Sequence, residues 1–212
     1  MNIAILSISI YVIFSLLFMI IKHFVIDKSA IESKQPYEEN TKWMYAYVLL
    51  SFFVIAIQNI YFISETECSV QYGQLFIHSI FPLFLVMGLI VIFLVNMNWN
   101  RIFANTFGMI LAPKIILKPQ STNSNVSFFY NDPNILLQEL EPNDLLSLTK
   151  LNSQLKDLLK ENIQITENQH EIIKRQYFVK QNVGYFIWLT FAGIVTSLIS
   201  ANSLLLQDCI IE

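Results

Sequence analysis

Charge is what this 212-residue sequence has least of for its size. Lys and Arg number 13, Asp and Glu 16, and together they make up 14% of the chain. Soluble domains carry about a quarter charged residues, so an all-aqueous fold is excluded. The net charge of −3 offers no basic footprint for a nucleic-acid backbone. Five glycines and six prolines exclude collagen-like and low-complexity chains, and two cysteines exclude a disulfide scaffold or a four-thiolate zinc site. His23, His78 and His170 have no Cys or carboxylate partner at metal spacing. HExxH, CxxC, Walker, GxGxxG and GxSxG patterns are missing too. Glu38-Glu39 and Glu65-x-Glu67 read as solvated loop carboxylates. No catalytic residue, cofactor site or metal site is therefore expected, and the reading is of a non-enzyme.

What is abundant is apolar sequence, 54% of the chain with a mean hydropathy of +0.50. A helix crossing the hydrocarbon core needs about 20 apolar residues. Four runs qualify: Ile3 to Ile21, Trp43 to Ile63, Leu75 to Val95 and Tyr185 to Leu206. Trp43, Tyr45, Tyr47, Trp99, Tyr185 and Trp188 lie near their ends, where amphipathic rings suit the interface. The expected fold is all-α, a polytopic membrane protein with four transmembrane helices and a cytosolic amphipathic helix leading into the last span. The first run lacks the preceding charge and the small cleavage-site residues of a signal peptide, and reads as a retained anchor.

All thirteen basic residues fall in two places. Lys22, Lys28, Lys34 and Lys42 flank the first loop, and the rest lie between spans three and four. By the positive-inside rule these regions face the cytosol and both termini face away. The resulting divisions are 1–26 (first span and flank), 27–42 (cytosolic loop), 43–63 (second span), 64–74 (short non-cytosolic loop) and 75–95 (third span). They continue with 96–142 (juxtamembrane motif and loop), 143–184 (heptad-patterned amphipathic helix), 185–206 (fourth span) and 207–212 (tail). Cys68 and Cys209 then share the non-cytosolic side. An oxidising compartment would allow a disulfide between them; two unrelated thiols is the other reading. The sequon at Asn125 falls on the cytosolic side, where it would go unused.

Asn96 to Pro113 mixes amides, aromatics and one Arg, too polar to span, and reads as interfacial, re-entrant or a plain connector. Asn105-Thr106 suits a helix cap. From Asn143 a heptad stripe of Leu151, Leu158, Ile165, Ile172 and Val179 has companions Leu148, Leu155, Asn162, Gln169 and Gln176. A continuous helix from Asn143 to Leu206 would reach about 95 Å, with Gly184 as its bend. Its apolar face would pack on a partner helix, a second copy included, or on the chain's own juxtamembrane segment. Pro82 and Gly88 would bend span three or allow close packing. His78, the ionisable group inside a span, is a functional candidate by default. Gln58 and Asn59 would hydrogen-bond between helices.

Trp99-x-x-x-Phe103-x-Asn105-Thr106-Phe107-Gly108, followed by Tyr130-Asn131-Asp132-Pro133-Asn134-Ile135-Leu136-Leu137-Gln138-Glu139-Leu140, resembles a membrane protein family of nucleocytoplasmic large DNA viruses (giant viruses). In that family a span runs into a Pro-Gly-Trp turn and a Ser-Asn-Thr-Phe-Gly stretch. A Tyr-Glu-Asp-Pro-like segment then precedes an amphipathic helix and another span. The likeness covers roughly residues 80 to 145; Met97-Asn98 stands where the family has Pro-Gly, Ala104 for Ser and Asn131 for Glu. The resemblance implies a virion component of the internal membrane beneath the capsid, found also in host-derived internal membranes. Its partners would be the bilayer and capsid or other virion proteins. Trp99, Arg101, Phe103, Asn105, Thr106, Phe107 and Gly108 would then be partner contacts, with Leu151, Leu158, Ile165 and Ile172 on the heptad face. The alternatives are a host-membrane remodelling factor outside the particle, and a small channel or membrane enzyme working through His78.

Overall fold

A computed structural model describes residues 3–32, 41–65, 72–111, 138, 140–156 and 164–205. Among these residues the regular elements are all helical. Four helices are long and apolar enough to cross a membrane, so the chain is an all-α, multi-pass membrane protein by the length and composition of its helices.

α1 (Ile3–Lys22) runs on through a π-helical turn (His23–Asp27) into α2 (Lys28–Glu32). α3 is Lys42–Glu65. The third span is α4 (Tyr72–Pro82), a π-helical turn (Leu83–Met87) and α5 (Gly88–Asn96). α6 (Asn100–Phe103), a third π-helical turn (Ala104–Gly108) and α7 (Met109–Leu111) follow at once. After a 3-10 turn (Pro142–Leu146) come α8 (Leu148–Leu155) and the 39-residue α9 (Glu167–Leu205). At 1.5 Å per residue α9 is about 58 Å long, nearly twice the thickness of a hydrocarbon core. Its apolar half starts at Tyr185.

One difference from the sequence reading concerns the start of this last helix. It does not start near Asn143, because three separate start signals divide the segment. Glu141 and Asp144 form a reciprocal capping box on the 3-10 turn, with Pro142 in its first turn. The Ser147 hydroxyl accepts from the Lys150 N–H at the head of α8. Thr166 and Gln169 form another box at the head of α9: the Thr166 N–H donates to the Gln169 side chain, and the Gln169 N–H to the Thr166 hydroxyl. Residues 164–166 are non-helical, so Ile165 sits outside any helix, and the Asn152 amide bonds both its N–H and its carbonyl. α9 runs through Gly184, the residue expected to bend it, without a break in its helical assignment.

The chain divides into two compact units. One comprises Met1–Met19, Thr41–Trp99 and Phe186–Glu212 and holds the bodies of the spans. The other comprises Ile20–Asn40 and Asn100–Tyr185 and holds the flanking segments. In the span unit the usual segregation is inverted. Ser7, Tyr11, Ser15 and Met19 of α1 are buried at one-turn spacing, while Ile5, Ile13, Leu16 and Leu17 are exposed. α3 buries Tyr47, Ser51, Ile55, Gln58 and Asn59, and turns Leu49, Phe53, Ile57 and Ile60 outward. Lipid tails are as apolar as leucine, so helices associate through small and hydrogen-bonding residues and leave aliphatic ones to the bilayer.

Candidate functional site: the polar clusters

In the span unit α9 is the hub, and each other span reaches it through a polar or close contact. A Cβ at Gly193 would run into the Tyr11 ring, so only glycine admits that ring against the backbone. The Tyr47 hydroxyl donates to the Leu189 carbonyl at 3.3 Å and shares a 2.7 Å hydrogen bond with Ser15. The Gln58 amide donates to Ser7 and accepts from Ser197 at 2.8 Å. The Asn59 amide donates to Ser79 at 2.8 Å and to Ser200 at 2.7 Å. These bonds run from α1 through α3 and α4 to α9.

His78 belongs to the same belt. Its Nδ1 lies 3.1 Å from the Ser203 hydroxyl, and its carbonyl accepts from Ser200 at 2.8 Å. Pro82 explains the second bond. Proline has no N–H to return to the carbonyl four residues earlier, which is that of His78. The Ser200 hydroxyl supplies a donor, and the helix relaxes into the π-helical turn that follows. Pro82 therefore both distorts span three and fastens it to α9. Among the described residues nothing stands within 4 Å of where a Cβ at Gly88 would be, so no close packing is formed there among them.

Trp99 stays within the span unit: its ring stacks on Phe93 (centroids 4.5 Å apart) and tilts against Trp188, whose indole N–H donates to the Trp99 carbonyl at 3.0 Å. The turn before it uses Asn98 in the left-handed region, φ 52°. Asn tolerates that region better than most non-glycine residues. The N–H groups of Met97 and Trp99 both reach the Phe93 carbonyl, closing the helix end.

In the flank unit a second cluster joins the end of α1 to α9. The π-helical i→i+5 turn at His23–Asp27 brings residues five apart onto one face, and Lys22 meets Asp27 at 2.9 Å, both nearly fully buried. Asn182 completes a triangle, accepting from the Lys22 ammonium at 2.6 Å and donating to the other Asp27 oxygen. His23 Nδ1 stands 3.5 Å from Asp27. The charges are thus paired and hydrogen-bonded, the condition on which buried ions persist.

The Asn105-Thr106-Phe107-Gly108 stretch forms the third π-helical turn and packs on α9. Asn105 accepts from the buried Lys180 ammonium at 3.0 Å, and the Asn100 amide donates to the Gln181 side chain. A Cβ at Gly108 would stand 2.6 Å from the Lys180 carbonyl oxygen; one at Gly184 would stand 2.8 Å from the Asn100 oxygen and 2.9 Å from the Ala104 nitrogen. Small residues spaced four apart (Asn100, Ala104, Gly108) thus let two backbones approach, with Gly184 as the counterpart notch. The Thr106 hydroxyl bonds back to the Ile102 carbonyl at 2.8 Å. Arg101 is exposed and reaches Glu141 at 3.3 Å and the Gln138 carbonyl at 3.4 Å.

The expected contact residues therefore separate. Asn105 and Gly108 are used within the chain, Phe103 is half-buried, and Arg101, Thr106 and Phe107 are exposed. Leu151 is buried on α8 and Ile165 in the non-helical residues before α9, and Ile172 is half-buried beside a buried Ile173. The face that α9 buries before its span runs through Ile173, Tyr177, Lys180 and Gly184, one residue away from the heptad register at Ile172. Leu158, Cys68, Cys209, the sequon at Asn125 and the stretch Tyr130 to Leu137 lie outside the described residues. Among the described residues, no three His, Cys, Asp or Glu side chains group as a metal set would. No protein-family model, curated protein or solved structure matches the chain.

Sequence reasoning missed the Lys22–Asp27–Asn182 triangle and Lys180. Their signal was there in part: a lone polar side chain recurring every second turn in an apolar helix marks its inward face, as Ser7, Ser15 and Lys22 do in α1. The π-helical turns, which decide which residues of the flank meet, left no pattern of their own.

Proposed function

We propose that this chain is a structural and assembly protein of a viral particle, fixing the internal lipid membrane to capsid or other assembly partners. The observation that carries the reading is how the polar side chains are used. In the span unit the amides, hydroxyls and His78 join helix to helix; in the flank unit Lys22, Asp27, Asn182, Lys180 and Asn105 join segment to segment. Such bonding suits a chain whose work is to hold a shape at a membrane.

The viral part of the reading rests on the resemblance of Trp99 and Asn105 to Gly108 to the giant-virus membrane family. Asn98 adds support, since its left-handed backbone stands where that family carries glycine. The partner-facing surface is assigned to the polar exposed positions of 141–156, among them Glu141, Lys150, Gln154 and Lys156. The test is fractionation of purified particles. The chain is expected to stay with the particle after external membranes are removed, and to be released when detergent dissolves the inner bilayer. A chain found only in unassembled host membranes would refute the particle reading and favour the remodelling one.

A further inference from the structure

We infer that α6, the π-helical turn after it and α7 form an interfacial helix, whose outward face is seated among the lipid headgroups and upper acyl chains. The element is sided. Asn100, Ala104, Gly108 and Met109 are buried, whereas Ile102 (53% exposed), Phe107 (52%) and Ile110 (65%) point away, with Thr106 between them. Three large apolar side chains on one face require a cover.

Chain depth identifies the cover as lipid. Asn100 follows the end of the third span at Asn96 by only four residues. Within the flank unit, Gly184 of α9 lies against Asn100 and Ala104, and the apolar half of α9 starts at the next residue, Tyr185. Asn182, one helical turn from Tyr185, bonds Lys22, the residue that directly follows the first apolar run. Three spans thus place their hydrocarbon boundary within a turn of the residues that hold this helix. An element fixed at that depth, with Ile, Phe and Ile outward and Arg101 at its head, has the composition of a helix lying in the interface plane. A re-entrant loop at membrane depth would instead need its non-helical backbone covered by protein or a water-filled cavity.

The experiment uses the full chain in phosphatidylcholine–phosphatidylglycerol vesicles, with the photoreactive residue p-benzoylphenylalanine at position 107 or 110 and, as control, at the exposed position 153. This leaves both cysteines untouched, and both positions are exposed, Phe107 touching Phe103 of its own helix with ring centroids 6.0 Å apart. Irradiation followed by mass spectrometry is expected to give lipid adducts at 107 and 110, several-fold above those at 153. Adducts to a second copy of the chain at 107 and 110, or lipid adducts no more frequent there than at 153, would overturn the inference. Because the vesicles contain no capsid protein or other assembly partner, the outcome is independent of the particle reading.

Discussion

At the scale of single residues, glycine shows how position sets cost. Gly184 and Gly88 both lie in helices, where alanine is intrinsically preferred by about 1 kcal/mol. At Gly184 the added methyl meets backbone atoms of Asn100 and Ala104, which cannot move aside as a side-chain tip would. Gly184→Ala is expected to destabilise the protein by about 1–3 kcal/mol, in the range of overpacking. At Gly88 the methyl meets nothing among the described residues, and Gly88→Ala is expected to be neutral or stabilising by up to about 1 kcal/mol. Unfolding in mixed micelles compares the two, and equal effects would show that the close crossing at Gly184 is not formed. Glycine count and spacing do not separate the pair in the sequence. The difference lies in what stands opposite, which is non-local information.

At the scale of elements, the π-helical turns and the caps decide what meets what. The turn at His23–Asp27 gives Lys22 its carboxylate. Removing one member of a buried pair leaves the other charge desolvated, at a cost of about 3 kcal/mol, whereas apolar replacement of both costs much less. Asp27→Ala is therefore expected to lower stability by about 3 kcal/mol, and K22M together with D27L to recover most of it, in the same unfolding measurement. A double variant as unstable as Asp27→Ala would contradict the pairing. The spans were legible because about 20 apolar residues in a row have few other fates. The heptad helix was misjudged because periodicity was weighed without the caps. Thr166 and Gln169 form an S/T-x-x-E/Q box, and Glu141-Pro142 and Ser147 mark two further starts, so the stripe spans several elements. Leu151 and Ile165 fall fourteen residues apart in register and yet on different structures.

At the scale of the whole molecule, apolar aliphatic residues face outward from the span bodies, and polar ones face inward and bind each other. Composition alone established the membrane, and the distribution of Lys and Arg gives its expected orientation. Which polar residues pair was not legible, because Asn59 with Ser200 and Lys22 with Asn182 are separated by 141 and 160 residues. The central claim is that this folded, bilayer-anchored chain holds a membrane to a protein shell. Cross-linking mass spectrometry on the purified particle fraction tests it most directly, through the exposed Lys28, Lys150 and Lys156. Links from these lysines to a capsid protein are the result the account predicts. Links confined to the chain itself or to host membrane proteins would contradict it.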